Sequence, residues 1–201
     1  MEFFRRAERP TRNVGVLPGT FNPVTVAHLA LADAALNAVD EVVFVLPRSF
    51  PHKQFTGASF EQRVGMLKAA LKARPAFSIG ASDGGLFAEI AEEIRQFYPS
   101  GVLISLICGR DAAERVAGWD YGRPGAFAEM LQRFDLLVAA RQGTYTAPTE
   151  FASAVRQLAL PCELDDVSAT QVRERIAHGE AWEHLVPVQI VDEVRRIYGH
   201  C

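Results

Sequence analysis

Cysteine is scarce in this chain, and its placement excludes much. Cys108, Cys162 and Cys201 are odd in number, widely separated and without metal-ligand spacing, so neither a zinc site nor a redox pair is expected. Cys108 ends an apolar run and reads as a small buried hydrophobe. Long hydrophobic runs are missing too: no stretch approaches the ~20 residues of a membrane span. The opening Met1-Glu2-Phe3-Phe4 turns charged at Arg5, Arg6, Glu8 and Arg9, without the apolar core or small-residue cleavage site of a signal peptide. No membrane partner is expected, and the chain reads as cytoplasmic. Nor is there an excess of one charge. A net charge of −3 argues against a general nucleic-acid binder, which would carry a basic face, so an acidic ligand must be met by a few local cations.

What is present is an ordinary globular composition, 49% apolar over 201 residues, in a length that suits one domain. The expected organisation is one domain over residues 1–201, with 1–12 as a flexible N-terminal extension. Apolar, β-branched runs at Val14–Leu17, Val42–Leu46, Ala76–Ile79, Val102–Cys108 and Asp135–Ala139 read as strands. The run before Cys108 is apolar on both faces, as in a central strand of a covered parallel sheet. Helical patterns at Val26–Asn37, Ser59–Ala73, Leu86–Phe97 and Ala112–Ala117 fall between them. In the second, Phe60, Val64, Leu67 and Leu71 share a face, with Ser59 as N-cap. Such alternation predicts right-handed βαβ units and an α/β, doubly wound parallel sheet. After Arg141 the pattern changes: a helical piece over Glu150–Gln157, a last strand around Pro161–Leu164, and helices over Ala169–His178 and Val188–Tyr198 as a helical C-terminal cap.

The most informative stretch is Gly19-Thr20-Phe21-Asn22-Pro23-Val24-Thr25-Val26-Ala27-His28. A strand, a small-residue turn and a helix start carrying a histidine make an anion site, because unpaired N–H groups and the helix dipole favour negative charge there. Val167-Ser168-Ala169-Thr170-Gln171-Val172-Arg173 offers hydroxyls and a guanidinium at another helix start. Lys53 follows the second strand and Asp111 the central one. Ligands of open α/β sheets bind beyond the carboxyl ends of the strands, so these features converge on one crevice.

The first motif resembles the nucleotidylyltransferase signature, and Ser168-Ala169-Thr170-x-x-Arg173 is similar to that superfamily's second signature. Pro51-His52-Lys53 with Arg63, Gly109-Arg110-Asp111 with Trp119, and the helix Val186–Tyr198 resemble the nicotinate/nicotinamide mononucleotide adenylyltransferases within it. The resemblance implies a Rossmann-like fold and an enzyme of NAD biosynthesis that joins ATP to a pyridine mononucleotide, releasing pyrophosphate. It implies that Gly19, Thr20, Phe21, Thr25, His28, Gly109, Asp111, Ser168, Thr170 and Arg173 bind ATP. On the same basis Asn22, Lys53, Asp83, Trp119 and Arg141 meet the mononucleotide, and His28, Arg173 and Lys53 carry catalysis. Mg²⁺ would arrive with ATP, and the family allows a homo-oligomer.

Each residue also has a plainer role open to it. His28 could be a structural histidine, Thr25 and Asp111 could cap helices, Lys53 and Arg173 could be solvated, and Trp119 could be a core aromatic. Four departures from the family pattern stand out. Asn22 replaces the commoner Asp, Ala27 and Ala169 replace Gly and Ser, and Ser82-Asp83-Gly84-Gly85-Leu86 replaces a Ser-Tyr-Thr-like segment. A carboxylate at Asp83, if it faces the ring pocket, would disfavour nicotinate. Another adenylyl- or cytidylyltransferase, such as a phosphopantetheine adenylyltransferase, and a catalytically silent nucleotide-binding relative stay open as alternatives.

Overall fold

The computed structural model describes residues 1–8, 10–48, 57–117, 125–139 and 149–199. Seven strands form one sheet: β1 (Glu2–Arg5), β2 (Asn13–Pro18), β3 (Glu41–Pro47), β4 (Phe77–Ser82), β5 (Leu103–Gly109), β6 (Asp135–Ala139) and β7 (Val155–Leu158). Their order is β1-β4-β3-β2-β5-β6-β7, parallel except where β1 meets β4. The chain winds outward from β2 through β3 to β4, then returns to lay β5 on the other side of β2. The carboxyl ends of β2 and β5 therefore flank the point where the winding reverses, the place where open α/β sheets leave a crevice.

Both faces of the sheet are covered, because alternate residues of each strand enter separate cores. Val42, Phe44 and Leu46 of β3 pack under α1 (Val26–Ala35), α2 (Phe60–Ala70), α6 (Ala169–Ala177) and α7 (Val191–Tyr198). Val43 and Val45 of the same strand pack on the opposite side with Ile90, Ile94 and Ala113 of α3 (Phe87–Arg95) and α4 (Arg110–Ala117). Gly15 is required by this closeness: a Cβ there would stand 2.8 Å from Ile107 Cδ1 and 3.0 Å from Val39 Cγ2.

The expected strands and helices through residue 139 are present with shifted ends, and α5 (Ala126–Met130) is an addition. Three regions differ from expectation. Residues 2–5, expected within a flexible extension, form β1, with Glu2 opposite Ala81 and Phe3 opposite Gly80. Phe4 and Phe3 pack edge-on against Phe60 and Phe97, so β1 covers what would be the open edge of β4. The piece expected as helix over 150–157 is a single 3₁₀ turn at Thr149–Phe151 followed by β7, and the strand expected near 161–164 is a 3₁₀ turn at Cys162–Leu164. Val155 and Leu158 are buried while Arg156 and Gln157 are exposed, a pattern too short to show a period. The open edge of β6 decided the pairing.

Candidate active site

The first signature follows β2 as a loop held from three directions. Gly19 N–H donates to the Val45 carbonyl at 3.0 Å. A Cβ on Gly19 would lie 2.8 Å from the Phe21 ring, so only glycine lets that ring fold back. Phe21 has φ of 47°, a left-handed backbone that costs a non-glycine residue about 1 kcal/mol or more. Its ring is buried and stands edge-on to the His28 imidazole, with centroids 5.2 Å apart, and lies 5.4 Å from Phe44. From α2, the buried Arg63 donates through Nη1 to the Thr20 carbonyl at 2.9 Å. Burial is the largest influence on that guanidinium and lowers its pKa, though not enough to discharge an arginine.

Thr25 and His28 form a capping box at the start of α1. The Thr25 N–H donates to His28 Nδ1 at 3.0 Å, the Thr25 Oγ1 lies 2.8 Å from the same nitrogen, and the His28 N–H donates to Thr25 Oγ1 at 3.4 Å. A ring nitrogen that accepts from a backbone N–H bears no proton. The neutral imidazole therefore carries its hydrogen on Nε2 and presents that edge as a donor. The structural role expected of this histidine is thus present, and the cap leaves Nε2 directed away from Thr25.

The second signature docks on the first. Ser168 caps α6, its Oγ accepting from Gln171 N–H at 3.1 Å. Arg173, one turn on and half-buried, donates through Nη1 to the Asn22 carbonyl at 2.6 Å and to the Ala169 carbonyl at 3.1 Å, and through Nη2 to Thr170 Oγ1 at 3.3 Å. Asn22 is buried, and its Oδ1 accepts from Ala58 N–H at 3.2 Å and from the Tyr198 hydroxyl. The described contacts of Asn22 thus place it as the joint between the first loop, α6 and α7.

Gly109 ends β5, and Asp111 sits exposed in the first turn of α4. β2 pairs with β5 in parallel as far as Val16 and Leu106, so Gly19 and Gly109 stand at the carboxyl ends of neighbouring strands. A Cβ on Gly109 would meet none of the described residues within 4 Å. Asp83 follows β4, two strands from β2; it is exposed, and Arg48 Nε lies 3.6 Å from its carboxylate. Lys53, Trp119 and Arg141, with Pro51 and His52, lie outside the described residues. Among the described residues no group of three or more His, Cys, Asp or Glu could hold a metal ion. A cleft of about 420 Å³ lined by Arg95, Leu103, Arg133 and Asp135 lies at the amino ends of β5 and β6, remote from the signatures.

The supporting roles of Arg63, Ala58 and Tyr198 are not expected from sequence. One signal existed for Arg63: it stands beside Phe60, Val64 and Leu67 on the buried side of α2, where a cation needs a partner.

A family profile described as cytidylyltransferase-like matches residues 16–175. A relative from Gloeobacter violaceus named "Probable nicotinate-nucleotide adenylyltransferase" is 31% identical over 199 residues, covering 91% of this chain and 93% of its own. Another of that name from Bordetella pertussis is 32% identical, covering 87% and 90%. A solved Plasmodium falciparum nicotinic acid mononucleotide adenylyltransferase complexed with APC superposes with a TM-score of 0.68 at 13% identity, covering 92% of this chain and 94% of that one. At that identity the likeness concerns the fold alone. From the span of the profile and the identity to curated relatives, this chain belongs to the cytidylyltransferase-like family and, within it, to the nicotinate-nucleotide adenylyltransferases.

Proposed function

We propose that this chain transfers the adenylyl group of ATP to nicotinate mononucleotide, giving the dinucleotide and pyrophosphate in NAD biosynthesis. A mononucleotide phosphate oxygen attacks the α-phosphorus in line. The bond to the bridging oxygen of the β-phosphate breaks, and pyrophosphate leaves with that electron pair. No protein nucleophile is needed, so the work is positioning and charge stabilisation. His28 Nε2–H donates to the α-phosphate, where charge grows. Arg173 meets the β- and γ-phosphates with its fork of donors, Asp111 accepts from the ribose, and Lys53 receives the incoming phosphate. Gly19, Thr20 and the start of α1 offer close backbone approach. The imidazole and guanidinium suit phosphate oxygens, so Mg²⁺ would be held by the ATP phosphates and water, neutralising charge on the leaving group. A cytoplasmic setting, where ATP is supplied, is part of the same reading.

The observation that carries this reading is the joining of the two signatures: Arg173 bonds the Asn22 carbonyl while Thr25 fixes His28 three residues further on. Nicotinate is preferred over nicotinamide because the curated relatives carry that name and because the Asp83 charge is paired with Arg48. The test is pyrophosphate release with ATP, Mg²⁺ and, in turn, nicotinate mononucleotide, nicotinamide mononucleotide and phosphopantetheine. Turnover should be fastest with the first. Binding of ATP without release from any acceptor would instead mark a silent nucleotide-binding relative.

A further inference from the structure

The loop 82–86 leaves the carboxyl end of β4 and is gripped from both sides. On one side stand two acids of α3. Glu93 accepts from Ser82 Oγ at 2.8 Å, Gly84 N–H at 2.8 Å and Asp83 N–H at 3.3 Å, and Glu89 accepts from Gly85 N–H at 2.9 Å and Leu86 N–H at 3.0 Å. Four successive backbone donors therefore end on one helix. The loop lies so close that a Cβ on Gly84 would stand 2.6 Å from Glu89 Cβ. On the other side stands Arg48, the first residue after β3. Its N–H donates to the Ser82 carbonyl at 2.8 Å, its Nε lies 3.6 Å from Asp83, and its guanidinium lies 4.9 Å from the centre of the Phe60 ring. β1 then closes on both grips. Glu2 pairs with Arg48, and the Met1 ammonium lies 3.1 Å from Glu93.

We propose that Arg48 and Glu93 are positioning residues for the acceptor mononucleotide, acting through the loop 82–84, with β1 as the clamp that holds them. The proposal rests on the adenylyltransfer reading above. The elements assigned to ATP, at the ends of β2 and β5 and the start of α6, make none of these contacts. The exits of β3 and β4 lie on the far side of β2 from β5, which leaves them to the second substrate. A stretch holding Gly84 and Gly85 has much backbone freedom to lose. Fixing its shape before binding spares the acceptor that ordering cost.

Steady-state kinetics varying each substrate in turn, with amide hydrogen exchange on the same proteins, tests this. Glu93→Ala should raise KM for nicotinate mononucleotide about tenfold, the loss expected when hydrogen bonds to a charged group are removed, and Arg48→Met, which keeps the backbone bond to Ser82 but loses the ion pair with Asp83, should raise it about threefold. KM for ATP and kcat should stay within about twofold. Glu93→Gln keeps an acceptor oxygen for Ser82 and Gly84, so it should recover most of the affinity. Amides 83–86 should exchange faster in Glu93→Ala, and those of α1 should not. Equal rises in both KM values, an unchanged acceptor KM, or unchanged exchange at 83–86 would overturn the proposal. Should Glu93→Ala fail to fold, Arg48→Met decides, because its guanidinium is 41% exposed and its removal opens no core cavity. A wild-type protein that releases no pyrophosphate would overturn the adenylyltransfer reading itself, an outcome distinct from any pattern among the variants.

Discussion

His28 does two jobs that a substitution can separate. As the third residue of α1 it bonds back to Thr25 N–H, half of a capping box; as an imidazole it would, in the proposed reaction, offer Nε2–H to phosphate. Glutamine at this position of a capping box can make the same backward bond. His28→Gln should therefore melt close to wild type, while His28→Ala loses about 1 kcal/mol. Both should lose roughly 10²–10³ in kcat, the cost of removing one preorganised donor. Near-normal turnover of folded His28→Gln would remove the imidazole from the mechanism. Cys108 is the inert counterpart: burial pushes its thiol up to about 12, so hardly any thiolate exists at pH 7. Native protein treated with iodoacetamide and mapped by mass should carry no label at Cys108, whereas unfolded protein should.

Among the elements, α6 and α7 matter to the site because they fasten the first loop. The Tyr198 hydroxyl donates to Asn22 Oδ1, and burial is the main cause that pushes this phenol up to about 12, so it remains a donor at any working pH. Tyr198→Phe leaves Asn22 Oδ1 with Ala58 N–H as its remaining described donor. Stability should fall by about 1 kcal/mol, read as a lower denaturant midpoint at unchanged slope. A midpoint equal to wild type would mean that the loop does not depend on α7. Gly57 explains how the two approach: its φ is 101°, and a Cβ there would lie 2.8 Å from Tyr198 Cε1.

At the scale of the whole molecule, hydrogen-bonded carboxylates set the response to acid. The backbone N–H groups of Arg12 and Asn13 hold Asp40 below the usual carboxylate range. Burial pushes Glu93 up, but the donors from Gly84, Ser82, the N-terminus and Asp83 together bring it below its ordinary value. A depressed carboxylate adds stability above its unfolded-state pKa, and that stability is lost as pH falls through the folded value. Asp135 runs the other way, raised chiefly by burial, so its protonation relieves a cost. Glu61 and Glu183 are likewise held below the ordinary range, chiefly by backbone N–H donors, and with these depressed groups outnumbering Asp135 the denaturant midpoint should be flat near neutrality and fall below about pH 4. Glu93→Gln should flatten that fall; an unchanged acid limb in this variant would mean that Glu93 contributes nothing to it. Glu41, buried at the opposite end of the sheet, accepts from Thr11, Tyr98 and Ser78 and ties the N-terminal segment to β3 and β4.

The sequence by itself determined the alternation of strands and helices through residue 139, both signatures, and the caps at Thr25 and Ser59. All of these are local: each depends on residues within one or two turns, where spacing and side-chain chemistry suffice. Tertiary structure decided what local pattern cannot encode. Residues 2–5 and 155–158 became strands because the edges of β4 and β6 offered unpaired backbone groups, and neither tetrapeptide is long enough to show a period. Arg63, Tyr198 and Arg173 converge on the first loop from places 43, 176 and 151 residues away. Such contacts leave no periodic trace in the chain, since what selects them is the burial of carbonyl groups that must find a donor.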